Sequence, residues 1–78
     1  MILKEQILEV LCRINPQIAD NEDSNLLETG LIDSYEIVNV VMDLEAAFDI
    51  EIDPEYVIVD NFKTAEDIYK LVKLIRGE

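Results

Sequence analysis

Asp33 and Ser34 are the residues of this chain whose types and spacing best suit chemistry. A serine directly after an aspartate, at the start of a strongly periodic apolar segment, can cap a helix or serve as an attachment point. With no histidine in the chain and no lysine nearby, Ser34 lacks the base that would make it a nucleophile in its own right. On propensity alone it reads as an ordinary polar residue of a first helical turn. Two features point further. It stands at the end of a long connecting segment, and the helix it opens carries many acids. Both suit an acceptor for chemistry performed by another enzyme.

Other chemistries fit less well. The stretch Asp20-Asn21-Glu22-Asp23-Ser24-Asn25 looks like a calcium loop, but it lacks the central glycine and has Leu31 at the twelfth position. Zinc and iron–sulfur sites need ligands that one cysteine and no histidine do not supply. No metal site is expected. Cys12 falls in an apolar helical pattern and reads as a small buried hydrophobe. Tyr35, Tyr56 and Tyr69 read as packing residues with wet hydroxyls. No glycine-rich phosphate loop occurs, and Gly30 is expected to supply a turn.

The elements that must position Ser34 follow from apolar spacing. Leu3, Ile7, Val10 or Leu11, and Ile14 predict a helix over 2–14, ended by Asn15-Pro16. Residues 15–32 read as a long loop pinned by Ile18, Leu26, Leu27, Leu31 and Ile32. A loop of that length in a small domain points to function. Ile37, Val41, Leu44 and Phe48, with Val38 beside them, predict a helix over 34–48. Asp33 is its expected N-cap, and Glu36 completes an Asp-x-x-Glu capping box. Asp53-Pro54-Glu55 opens a short helix over 54–59, limited by the β-branched Val57, Ile58 and Val59. Thr64 caps a last helix over 65–76, with Ala65, Ile68, Leu71, Val72 and Ile75 on one face and Gly77 as the stop. Ile50 and Ile52 are expected to tuck into the core. The expected fold is a single all-α domain over 1–78: three main helices, one short helix, and a long loop after the first.

Charge sets the company such a domain keeps. The 78 residues carry 18 acids and 6 bases, a formal net charge of −12. Between Asn15 and Phe62 there are thirteen acids and no lysine or arginine. That field repels nucleic acid and anionic membranes and attracts basic protein surfaces. A core of this size supplies only about 3–5 kcal/mol of net stability, too little to suggest an elaborate enzymatic cleft. No long apolar segment is present, so a cytoplasmic monomer is the default expectation.

With these residues in place, the chain resembles the acyl carrier protein family, including its peptidyl and aminoacyl members. The resemblance spans nearly the whole chain. It is densest from Asn25 through Gly30-Leu31-Ile32-Asp33-Ser34, and again over Glu45-Ala46-Ala47-Phe48-Asp49-Ile50-Glu51-Ile52. It implies an acyl-carrier-like bundle in which Ser34, with Asp33 as its motif partner, carries 4′-phosphopantetheine through a phosphodiester. A phosphopantetheinyl transferase would install the group from coenzyme A with magnesium. Cargo would ride on the terminal thiol as a thioester, and the carrier itself would catalyse nothing. Further implied partners are a loading ligase or transferase and downstream synthases with basic patches. Family partner contacts map to Asp33, Tyr35, Glu36, Asn39, Met42, Asp43 and Glu45. A family acyl cavity would be lined by Ile37, Val38, Val41, Leu44, Phe48, Ile52, Ile68, Leu71 and Val72, which serve equally well as plain core. Tyr35 after the serine, Asn39 in mid-helix, Asp43 in place of a small residue, and Gly-Leu-Ile-Asp-Ser in place of Gly-Ala-Asp-Ser-Leu depart from carriers of primary fatty acid synthesis. They favour a specialised polyketide, nonribosomal peptide, aminoacyl or modified lipid pathway, with the fatty acid carrier second. An unmodified acidic adaptor is the rival of another class.

Overall fold

A computed structural model describes all 78 residues. Its regular helices are α1 (Lys4–Ile14), α2 (Glu36–Phe48) and α3 (Ala65–Arg76). Shorter 3-10 turns cover Pro16–Asp20, Pro54–Tyr56 and Val59–Asn61. There is no strand, so the expected all-α bundle with a long first connection is what forms.

α1 is the central element, packing against both α2 and α3. Ile7, Val10 and Leu11 give it a fully buried face. Ile2, just before the helix, is buried, whereas Leu3 is exposed, so the apolar entry to the core is one residue earlier than the spacing suggests. α3 buries Ala65, Ile68, Leu71 and Val72 as expected, with Ile75 packed at the edge. Its ends match their signals. The Thr64 hydroxyl oxygen accepts the Asp67 N–H at 3.1 Å, and Gly77 takes φ 77°.

Three expectations need correction. The buried stripe of α2 is Val40, Leu44 and Phe48, an i, i+4, i+8 row. Ile37 and Val41 are half-buried and Val38 is exposed, so the core-facing row of α2 is rotated from the expected one. The short helix over 54–59 does not form. Ile58 is extended (φ −125°, ψ 155°), and two separate turns flank it. Three β-branched residues in a row disfavour a continuous helix there. Finally, the 15–32 loop opens with a 3-10 turn over Pro16–Asp20, in which the Asn15 side chain accepts the Gln17 N–H at 3.0 Å.

A polar knot closes the end of the bundle opposite in sequence to Ser34. Arg76 Nη1 donates to the Phe48 carbonyl at 3.2 Å, where α2 ends, and its Nε donates to Glu78 at 2.8 Å. The other oxygen of Glu78 accepts the Ile2 amide at 2.9 Å. Those bonds hold the Glu78 carboxyl below its ordinary pKa of 4.5, the Arg76 contact contributing most and the Ile2 amide next.

Candidate functional site

The long loop delivers Asp33 and Ser34 through a series of backbone ties. Asn25 folds the segment on itself, its side-chain oxygen accepting the Leu27 and Glu28 amides at 3.1 and 3.0 Å. The Leu26 amide donates to the Lys63 carbonyl at 2.6 Å, which fastens the loop to the approach of α3. Gly30 takes φ 76°, the left-handed turn expected of it. The Asn15 side chain donates to the Leu31 carbonyl at 3.1 Å, and Ile32 is fully buried. This Asn15 contact was not apparent from the sequence, where the residue reads only as a helix terminator.

Asp33 and Glu36 then form the expected reciprocal cap. The Asp33 Oδ1 accepts the Glu36 N–H at 2.8 Å, and the Glu36 Oε1 accepts the Asp33 N–H at 3.0 Å. Ser34 and Tyr35 lie in the turn between them, so regular helix begins at Glu36 rather than at 34. Ser34 is exposed, and its hydroxyl makes no hydrogen bond within the chain. The Ser34 and Tyr35 amides also have no acceptor in the chain. Free amides at the positive end of a helix suit a phosphate group.

Beside Ser34 runs an open apolar groove of about 280 Å³. Apart from Ser34 its lining is wholly apolar: Leu27, Ile37 and Val38 on one side, and Val57, Ile58, Val59 and Phe62 around the rest. An arm attached at Ser34 could lay its apolar portion there. Of the expected cavity residues only Ile37 and Val38 line this groove. Val41 is half-buried on α2, and Leu44, Phe48, Ile52, Ile68, Leu71 and Val72 belong to the packed core. The Val57–Val59 wall was missed. Its signal is the uninterrupted β-branched run on a turn too short to bury all three.

The expected partner-facing residues divide into two groups. Tyr35, Asn39 and Met42 are exposed, and they recur at i, i+4, i+7 away from the buried stripe. Asp33 is exposed but engaged in the cap, and Asp43 is half-buried. Glu36 and Glu45 are half-buried, each accepting a backbone amide, from Asp33 and Ile52 respectively. No helix is long and apolar enough to cross a membrane.

Comparison with known proteins adds a separate line of evidence. A family model described as "Phosphopantetheine attachment site" matches residues 2–72. The chain is 35% identical over 78 residues to a D-alanyl carrier protein of Leuconostoc mesenteroides, covering 99% of this chain and 100% of the relative. It is 31% identical over 68 residues to the D-alanyl carrier protein of Lactococcus lactis subsp. cremoris, covering 85% and 86%. It is 29% identical over 75 residues to that of Bacillus cereus, covering 94% and 95%. No solved structure matches at a significant level.

Proposed function

Because the chain belongs to the phosphopantetheine attachment site family, whose prosthetic group is covalently bound 4′-phosphopantetheine, we propose that Ser34 is the residue that carries the group. The observation behind this reading is the exposed, unbonded Ser34 hydroxyl beside an apolar groove at the start of α2. In attachment, Ser34 Oγ forms a bond to the β-phosphorus of coenzyme A. The pyrophosphate P–O bond breaks, and adenosine 3′,5′-bisphosphate leaves. The hydroxyl proton goes to a base of the transferase, since Ser34 has no base of its own. The Ser34 and Tyr35 amides, free at the positive end of α2, are the groups that would hold the phosphodiester. The group's terminal thiol supplies thioester chemistry.

The chain is a carrier protein. We read its cargo as a small aminoacyl group, in line with relatives named D-alanyl carriers and in preference to the acyl chains of primary fatty acid synthesis. Its own part is to tether and present that cargo at high effective concentration to a loading ligase and a downstream acceptor enzyme. Catalysis belongs to those partners.

The test is intact mass before and after incubation with coenzyme A, magnesium and a promiscuous phosphopantetheinyl transferase. A gain of one phosphopantetheine, lost in Ser34→Ala, is expected. A folded, initially unmodified chain that gains nothing removes the reading and leaves an acidic adaptor in its place.

A further inference from the structure

In the second half of α3 the sign of the charge reverses. From Ile68 to Gly77 the chain has three bases, Lys70, Lys73 and Arg76, and no acid. Four of the six basic side chains are spoken for: Lys4, Arg13, Lys63 and Arg76 pair with Glu66, Glu9, Asp60 and Glu78. Lys70 and Lys73 have no carboxylate partner. Bases near the end of a helix suit its dipole, which accounts for their sign. It does not account for Leu74 beside them, which is 62% exposed.

Lys70, Lys73 and Leu74 stand at i, i+3 and i+4, so they share the outer face of α3, away from the buried Ile68, Leu71 and Val72. The Lys73 ammonium sits over the Tyr69 ring, 5.2 Å from its centre, which holds it on that face. Beside the face lies an open hollow of about 320 Å³, lined by Tyr56, Asn61, Asp67, Lys70, Leu71 and Leu74. Asn61 and Asp67 are engaged locally: the Asn61 amide donates to the Tyr56 carbonyl at 2.8 Å, and Asp67 accepts the Thr64 hydroxyl at 3.0 Å. Lys70 is left as the unpaired charge of the hollow, with Leu71 and Leu74 as its apolar wall. An incoming carboxylate side chain fits both.

This face is remote from Ser34. Arg76 bonds to the Phe48 carbonyl, where α2 ends, and α2 spans 13 residues, about 20 Å of helix. Resting on the carrier reading, we propose that Lys70, Lys73 and Leu74 form a docking surface for the ligase that loads the arm, and that the ligase meets it with carboxylates around an apolar socket for Leu74. The ligase acts on the thiol at the far end of the arm, so it has no need to cover Ser34. The transferase, by contrast, must reach Ser34 Oγ itself. The two enzymes then read opposite charges on one carrier, acids in the stretch around Ser34 and bases on α3. The charges steer the encounter and Leu74 supplies the contact that holds it.

The experiment measures kcat and KM of the loading ligase for the phosphopantetheinylated full chain, with ATP, magnesium and the amino acid, at low and high sodium chloride. Lys70→Glu/Lys73→Glu is expected to raise KM about tenfold at low salt and less at high salt. Leu74→Ala is expected to raise KM about fivefold at both salt concentrations. Lys70→Arg/Lys73→Arg keeps the charge and should stay within about twofold. Modification of Ser34 by the transferase should stay within about twofold for every variant, and circular dichroism checks that each folds. If the ligase KM of both the charge-reversal and the Leu74 variants stays within about twofold of the parent, the surface is not the contact. Equal slowing of the transferase would also overturn the proposal, since the effect would not be specific to loading. So would co-sedimentation of the parent with phosphatidylglycerol vesicles that is lost in Lys70→Glu/Lys73→Glu, which would assign the face to a lipid surface. A folded parent that the transferase does not modify removes the carrier reading and this inference together, whereas a loaded parent with unaltered variants removes this inference alone.

Discussion

Glu45 and Ile52 are joined across the exit of α2, the Glu45 Oε2 accepting the Ile52 N–H at 2.9 Å. That carboxylate, on a residue also expected to face partners, pins the turn that carries Ile50 and the buried Ile52 back onto the core. Glu45→Ala leaves that amide without its partner and is expected to cost about 1–2 kcal/mol. Glu45→Gln retains an acceptor and should lose less. Urea unfolding midpoints compare the three; equal midpoints for Ala and parent would show that the bond contributes nothing.

Asp33 has a stability role separable from any recognition role. Asp33→Ala removes the cap on the Glu36 amide and is expected to destabilise by about 1 kcal/mol, while Asp33→Asn keeps most of it. In a domain of this size that corresponds to a fall of roughly 4–8 °C in Tm. If Asp33→Asn is as stable as the parent yet poorly modified at Ser34, the carboxylate is read by the transferase rather than needed only by the helix.

Glu78 gives an acid-side signature. Its folded pKa lies below the ordinary 4.5, held down by Arg76 and by the Ile2 amide. Its stabilising contribution is therefore present above pH 4.5 and is lost as pH falls through the lower folded value. Glu78→Gln lacks this increment, so the parent and variant stability curves should converge as the solution is acidified below that point. Parallel curves across the window would show that the carboxylate's charge contributes no stability.

Asp49 ends α2 in the left-handed region at φ 53°, a conformation that costs a residue with a Cβ. Asp49→Gly is expected to stabilise by about 0.5–1 kcal/mol, since glycine is the preferred residue at this position. A lowered Tm would mean that the aspartate makes a compensating interaction.

Self-repulsion among the acids should respond to ions. At a net charge of −12, added sodium chloride is expected to raise Tm, and magnesium to do so at lower concentration. A Tm that does not move with ionic strength would show that the acids are spread too widely to repel.

The three main helices, the caps of α2 and α3 and the charge pattern were legible because they depend on local spacing. The Asp33–Glu36 box, the Thr64 cap, the Gly77 stop and the α3 face all follow from residues within one or two turns of each other. What was not legible depends on which neighbour a helix meets. Val40 rather than Val41 lies in the buried stripe, and nothing within α2 alone decides that rotation. The groove was missed for the same reason. Its walls come from Leu27, α2 and Val57–Phe62, segments that meet only in three dimensions. The Glu45 bond to Ile52 was not legible because its partner is a main-chain amide, and amides carry no sequence label.

The stretch without lysine or arginine between Asn15 and Phe62 bears on the lifetime of a thioester as well as on electrostatics. A free amine beside an activated acyl group would undergo aminolysis and drain the cargo into a dead-end amide. Neither α2 nor the groove lining offers such an amine. The lysine next to the groove in sequence, Lys63, is paired with Asp60 at 3.0 Å. That hydrogen bond and charge raise its pKa above 10.5, so the amine stays protonated and unreactive. A face without a primary amine beside Ser34 removes the fastest route by which the carrier could acylate itself near the attachment point.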